Sequence, residues 1–250
     1  MSRDRRREWR QPPSGVELRP EDVHLWRAPL DLDGSIIDRL YGTLADDEKV
    51  RAERFRLAEG RARFTAARGV LRDILARYAG VEPASLQFGY RPSGKPFLLA
   101  GTDAGELQFN LSHSKGLGLY GVTLGRPVGV DVEHVRQGAE FSRIAERFFT
   151  SKEAEALRNC PAHIHAEAFF RCWTRKEAFI KASGKGFALG LGSFEVSIEP
   201  GDSDALLGAS GDPAALQRWH LADVDAAAGF AAAVAVEQRG LAFSCWEWPG

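Results

Sequence analysis

The segment from Ala166 to Ala182 constrains the fold most, because its pattern fits a long helix with one face in a core. Phe169, Trp173, Lys176 and Ile180 recur at 4-3-4 spacing, the stripe of a helix packed against other structure. Trp173, Glu177 and Lys181 form an i, i+4 ridge beside that stripe. Lys176 falls where an apolar residue belongs, so its ammonium is expected to be partly buried and paired. Taken alone, Glu177 and Lys181 would be a surface ion pair worth about 0.3–0.5 kcal/mol.

Upstream, Val128-Gly129-Val130-Asp131-Val132-Glu133 alternates as a strand does. The valines share one face, and Gly129, Asp131 and Glu133 share the other. Two carboxylates that project the same way can share a cation; read alone, they fit a solvated strand edge equally well. With Glu177 they make an oxygen-only donor set, which suits magnesium, a cation held by one or two carboxylates plus substrate phosphates. His163 and His165 have no third partner nearby in sequence and read as surface residues in preference to zinc ligands.

Around these two motifs the chain reads as mixed α/β. A strand is expected over Val23–Trp26, then helices over Ile36–Leu44, Asp46–Arg56 and Arg61–Tyr78, the last stopped by Gly80. Gly118–Leu124 and Val128–Glu133 read as a hairpin turned by Gly125-Arg126-Pro127, and Asn110-Leu111-Ser112-His113-Ser114 as a short polar loop. Thr150-Ser151-Lys152-Glu153 has the capping-box pattern of a helix start. Strands are expected over Ser193–Ile198, Trp219–Ala222 and Phe230–Val236. A weak internal repeat aligns Thr43 with Thr150 and Ser85 with Ser193. It predicts an α+β fold of two similar α/β subdomains related by a pseudo-twofold, with the active site in the cleft between them. The expected divisions are a disordered basic tail over 1–20, an N-terminal half over 21–125 and a C-terminal half over 126–250.

Composition narrows the classes. A net charge of −1 argues against nucleic acid or anionic membrane as a bulk partner. No apolar run approaches the roughly 20 residues of a membrane span. Three widely spaced cysteines give neither a CxxC pair nor a disulfide framework, which points to a reducing, cytoplasmic setting. There is no GxSxG elbow beside the Ser/His loop, and Ser183-Gly184-Lys185-Gly186 lacks the spacing of a phosphate-binding P-loop.

Four motifs in this order, Gly94-Lys95-Pro96-Phe97, Phe109-Asn110-Leu111-Ser112-His113-Ser114, Val128 to Glu133 and Trp173 to Lys181, resemble the Sfp-type 4′-phosphopantetheinyl transferases, in their two-halved, monomeric form. The resemblance implies coenzyme A as donor, a serine of an apo acyl or peptidyl carrier protein as acceptor, and adenosine 3′,5′-bisphosphate as leaving product. It implies magnesium, for which manganese can substitute, on Asp131, Glu133 and Glu177. By the same match Glu177 is the general base, and Lys181 balances charge on the pyrophosphate. Lys95, Ser112, His113, Arg51, Arg63, Lys176 and Lys181 match positions toward coenzyme A. The match departs at Glu48, where some members carry a lysine. Phe97–Leu99 and Phe141–Phe149 are the candidate carrier-docking segments, though from sequence alone they read as core in preference to a docking patch. A homologue that binds without transferring, and another magnesium enzyme such as a nucleotide hydrolase, are the competing readings. The first would suit a chain lacking Asp131, Glu177 or Lys181, and the second needs a device to position water; neither condition is met by the sequence.

Overall fold

In the computed structural model, which describes residues 8–92, 94–99, 106–138, 140–184, 186, 189–201 and 204–250, one order of elements occurs twice. The elements are β1 (Trp9–Arg10), β2 (Asp22–Pro29), α1 (Gly34–Thr43), α2 (Asp46–Glu53), α3 (Ala58–Ala79), β3 (Phe88–Tyr90), β4 (Pro96–Leu98), β5 (Leu107–Ser114) and β6 (Leu117–Leu124). They continue as β7 (Val128–His134), α4 (Glu140–Phe148), α5 (Ser151–Arg158), α6 (His165–Ser183), β8 (Phe194–Val196), β9 (Leu206–Ala209), α7 (Ala215–Arg218), β10 (Trp219–Asp223), β11 (Phe230–Glu237) and β12 (Ala242–Glu247).

Residues 8–125 with 242–250 form one compact unit, and residues 126–241 fall in the other. In the first, a five-stranded sheet runs β1-β12-β2-β6-β5. In the second, a three-stranded antiparallel sheet runs β10-β11-β7. The series β2-β6-β5 and β7-β11-β10 have the same connectivity, each with three helices after its first strand. Ala45 caps α2 where Thr150 caps α5, so the alignment of Thr43 with Thr150 is off by two residues.

Three expectations change. Gly118–Leu124 and Val128–Glu133 do not pair: β6 lies between β2 and β5, while β7 pairs with β11. Gly125-Arg126-Pro127 therefore joins two sheets instead of turning a hairpin. The final residues, expected with the C-terminal half, belong with residues 8–125, because β12 lies parallel to β2. Of the expected tail, residues 1–7 lie outside the described residues, and Trp9–Arg10 pair in parallel with β12. Arg27 also stacks its guanidinium over the Trp9 ring.

Each unit has its own core. Phe169, Phe170, Phe179 and Ile180 of α6 pack with Phe141, Phe149, Phe194, Trp219 and Leu221. Val70, Leu71, Ile74 and Leu75 of α3 pack with Trp26, Phe109 and Tyr120. Each side chain so buried contributes about 1.5–3 kcal/mol. The helices end as their glycines require: Gly80 at φ 63° and Gly184 at φ 69° lie in the left-handed region, where a Cβ would be strained.

On β2 the buried His24 titrates well below its usual range. The Trp26 indole donates to the Tyr78 hydroxyl at 2.8 Å, and that hydroxyl lies 2.8 Å from His24 Nδ1. Burial lowers the His24 pKa to about 4, against a smaller opposing effect of Asp22. Between that value and the ordinary 6.5, the unfolded chain takes up a proton that the folded chain refuses. Stability present above pH 6.5 is lost as pH falls toward 4, on the order of 3 kcal/mol. The stability gap between wild type and His24→Gln, measured by urea unfolding, should therefore narrow over that window. A gap equal at pH 7 and pH 4.5 would refute the assignment.

Candidate active site

Strand β7 presents Gly129, Asp131 and Glu133 opposite Ala235, Ala233 and Ala231 of β11. Val128, Val130 and Val132 are fully buried, and on the other face Asp131 is buried while Glu133 is half-buried, so at Asp131 that face is covered and not a solvated edge. Helix α6 lies directly against Gly129. A Cβ there would stand 2.1 Å from the Ala178 carbonyl oxygen and 2.4 Å from the Ala182 nitrogen. The missing side chain is what lets the helix backbone reach the strand, bringing the ridge of Glu177 and Lys181 to the acidic side chains.

There Lys181 Nζ donates to Asp131 Oδ1 at 2.6 Å and to the Val130 carbonyl at 3.2 Å. Asp131 is buried and Lys181 only partly so. Burial pushes the Glu177 carboxyl above the usual carboxylate range. The charge of Asp131 pushes it further, Lys181 pulls it back, and Glu133 adds a smaller upward push. Three acids thus share one electrostatic neighbourhood with a single lysine among the groups that shift Glu177. Among the described residues, no three acidic, histidine or cysteine side chains already converge as a metal cage. An oxygen-only partial set is nonetheless what magnesium needs when phosphates and water complete its shell.

Lys176, expected toward coenzyme A, is elsewhere. It is fully buried, and its ammonium meets Glu153 Oε1 at 2.8 Å and the carbonyls of Leu191 at 2.7 Å and Phe194 at 2.8 Å. An ammonium has three donors, and all three are used. Glu153 also accepts from the backbone nitrogens of Thr150 and Val196. The expectation of partial burial and pairing understated the case, and the coenzyme A assignment of Lys176 is withdrawn. Arg175 is anchored similarly, with Asp223 as bidentate partner and the Ser197 and Glu199 carbonyls as acceptors.

The remaining predicted residues lie in the unit of residues 8–125. Arg51 sits on α2, over the Phe64 ring, and lines a pocket of about 460 Å³ with Asp46, Asp47, Val50, Arg54 and Tyr90. Arg63 on α3 is held in a fork by Asp31, with contacts at 2.6 and 2.9 Å, and also meets Glu59. Lys95 follows the Arg91–Gly94 turn, where Gly94 has φ 80°; Ser93 lies outside the described residues. Ser112 and His113 are not in a loop but on β5, paired with Leu119 and Gly118 of β6, and the pleat sends them to opposite faces. Of the docking candidates, Phe141 and Phe149 are core, whereas Phe148 and Leu99 are exposed.

Glu48, the point of departure, is buried and gathers Arg68 and Arg72, with Arg72 Nε at 2.6 Å. Its place at N3 of α2 corresponds to that of Glu153 on α5. Sequence reasoning missed Gly129 as the helix seat and Glu153 as the partner of Lys176. The signals were available in part: a glycine one residue before Val130-Asp131, and the capping box that already marked Glu153. A pocket of about 490 Å³ lined by Glu167, Arg171, Asp223, Asp225 and Phe230 contains none of the predicted residues, so geometry identifies the site better than cavity size does.

Comparison with known proteins finds relatives of one family. The profile of the 4′-phosphopantetheinyl transferase superfamily matches residues 127–235, which include β7 and α6. The chain is 40% identical over 243 residues to the 4′-phosphopantetheinyl transferase HetI of Nostoc sp. (strain PCC 7120 / SAG 25.82 / UTEX 2576), covering 96% of this chain and 98% of that protein. It is 32% identical to a 4′-phosphopantetheinyl transferase of Bacillus subtilis, over 65% of this chain and 70% of the relative. The match to the 4′-phosphopantetheinyl transferase Sfp of Bacillus subtilis (strain 168) is 27%, over 64% and 69%.

Proposed function

Because the chain belongs to the 4′-phosphopantetheinyl transferase superfamily, we propose that the α6–β7 face is its reaction centre, with Asp131, Glu133 and Glu177 holding magnesium. The reaction is transfer of 4′-phosphopantetheine from coenzyme A to a serine of an apo acyl or peptidyl carrier protein. It leaves a holo carrier and adenosine 3′,5′-bisphosphate. The observation that carries the assignment of the site is the Asp131–Lys181 contact of 2.6 Å beside a Glu177 whose proton affinity is raised by burial and by two further acids.

Magnesium, or manganese in its place, would supply positive charge to the pyrophosphate oxygens. The protein supplies the rest. Glu177 takes the proton of the carrier serine as the serine oxygen forms a bond to the β-phosphorus. The bond from that phosphorus to the bridging oxygen breaks, and adenosine 3′,5′-bisphosphate departs with the electron pair. Lys181 balances the charge gathering on the leaving oxygens, as a preorganised cation does in phosphoryl transfer. Asp131 holds the Lys181 ammonium in place. Lys95 and His113 bind coenzyme A phosphates, and Arg51 and Arg63 act toward the 3′-phosphate; Ser112, on the face of β5 opposite His113, does not share that role. Arg63 is already engaged by two carboxylates, so its share is the smaller.

The test is intact-mass measurement of an apo carrier incubated with the chain, coenzyme A and magnesium. A gain of one phosphopantetheine supports the reading; no gain with carriers of several pathways and no coenzyme A binding would overturn it. Lys95→Ala should raise the KM for coenzyme A about tenfold with kcat nearly unchanged, as loss of one charge-assisted phosphate contact does. A fall in kcat at unchanged KM would contradict the Lys95 role.

A further inference from the structure

We propose that Lys176 and Glu153 are positioning residues for Glu177, acting through the placement of α6; the catalytic part of this inference rests on the function proposed above. Three segments meet at the Lys176 ammonium: the start of α5 through the Glu153 carboxylate, the loop through the Leu191 carbonyl, and β8 through the Phe194 carbonyl.

 The Glu153 carboxylate in turn accepts from Thr150 N at 2.8 Å and Val196 N at 2.7 Å, so the pair ties α6 to both neighbours at once. The Lys176 ammonium also lies over the Phe194 and Phe149 rings, which close the site to water.

Glu177 is the next residue along a rigid helix. On the strand side that helix is held by Lys181 on Asp131, and away from the strand by Lys176 on Glu153. The other unit uses the same device without the acids: Glu48 at the start of α2 binds Arg72 of α3, whose guanidinium also donates to the Pro83 and Leu86 carbonyls. The clamp therefore serves to seat a helix, and only on α6 does the seated helix bear Glu177. A displacement of about 1 Å in a catalytic group can cost 10²-fold in rate.

Lys176→Met leaves Glu153 buried without its cation and can fail to fold, so Glu153→Gln/Lys176→Met is made beside it, keeping an acceptor for Thr150 N. The readouts are kcat and KM for coenzyme A with an apo carrier, and amide hydrogen exchange over residues 177–183. In the folded double variant, kcat should fall at least about tenfold with KM within about twofold, and exchange over 177–183 should rise while that of α3 stays unchanged. Wild-type kcat, a raised KM at unchanged kcat, or wild-type exchange over 177–183 would each overturn the proposal. If the wild-type protein transfers nothing to any carrier, the transferase reading fails by itself, and the exchange comparison alone decides whether the pair positions the helix.

Discussion

Glu177→Gln should lower the rate of transfer by about 10³-fold and leave the protein folded, the size expected when a general base and a cation-binding charge are lost together. The substitution keeps the shape of the side chain and removes only its charge. Its effect on stability has the opposite sign to its effect on activity. A carboxyl whose folded pKa is raised stabilises the fold below its unfolded pKa, and that contribution is lost as pH rises through the folded value. Where it is ionised, Glu177 therefore opposes folding, and the glutamine removes a charge that burial and Asp131 both disfavour. Transfer assays and thermal unfolding of the same preparation check both halves. Near-normal turnover would sink the assigned role, and a large fall in melting temperature would show that the carboxylate is structural instead.

Gly129→Ala should be the most damaging single-methyl change in the unit that holds the site, destabilising it by about 3 kcal/mol or more. The new Cβ would meet backbone, at 2.1 Å from Ala178 O and 2.4 Å from Ala182 N, and no side-chain rotation relieves that. To accommodate it, α6 must move off β7, carrying Glu177 and Lys181 away from Asp131. Activity should fall with stability, and urea unfolding of the variant should show the lowered midpoint. Wild-type stability would mean that the helix does not sit on Gly129 as described. Gly184→Ala makes a useful contrast: nothing lies within 4 Å of its Cβ, and only its φ of 69° is strained, so its cost should be smaller.

Much of this was legible because the strongest signals are local. The α6 stripe, the alternation on β7, the Thr150 capping box and the glycine stops all depend on residues within a turn or two of one another. The helix from His165 to Ser183 matches the expectation of Ala166 to Ala182 almost to its ends. Long-range pairings were not legible. The β6–β7 hairpin looked sound, since a Gly-Arg-Pro turn joined two apolar strands. What decided the pairing was competition: β6 has β2 and β5 on its two edges, and β7 pairs with β11, about 100 residues later. The same distance hid β12, whose Trp246 and Trp248 gave no clue that they return to β2 and Asp73.

For the site, composition and spacing singled out the acids and Lys181, but not what Lys176 does. Its place in the buried stripe showed that it needed a partner. That partner, Glu153, lies on another helix and was visible in sequence only as a capping residue. The family resemblance drew Lys176 toward the ligand, whereas three short contacts to protein oxygens account for its donors. Ser112 and His113 show a related limit: polar composition suggested a loop, but edge-strand pairing with β6 placed them on a sheet.

The most direct test of the central claim is transfer measured against free magnesium, in wild type and in Glu133→Gln, with EDTA as the zero point. The account predicts no modification of the carrier in EDTA, full recovery on adding magnesium, and at least about a tenfold rise in the half-saturating concentration for Glu133→Gln, as loss of a carboxylate ligand implies. Undiminished transfer in EDTA, or a Glu133→Gln curve that superimposes on wild type, would contradict the assignment of these acids to the metal.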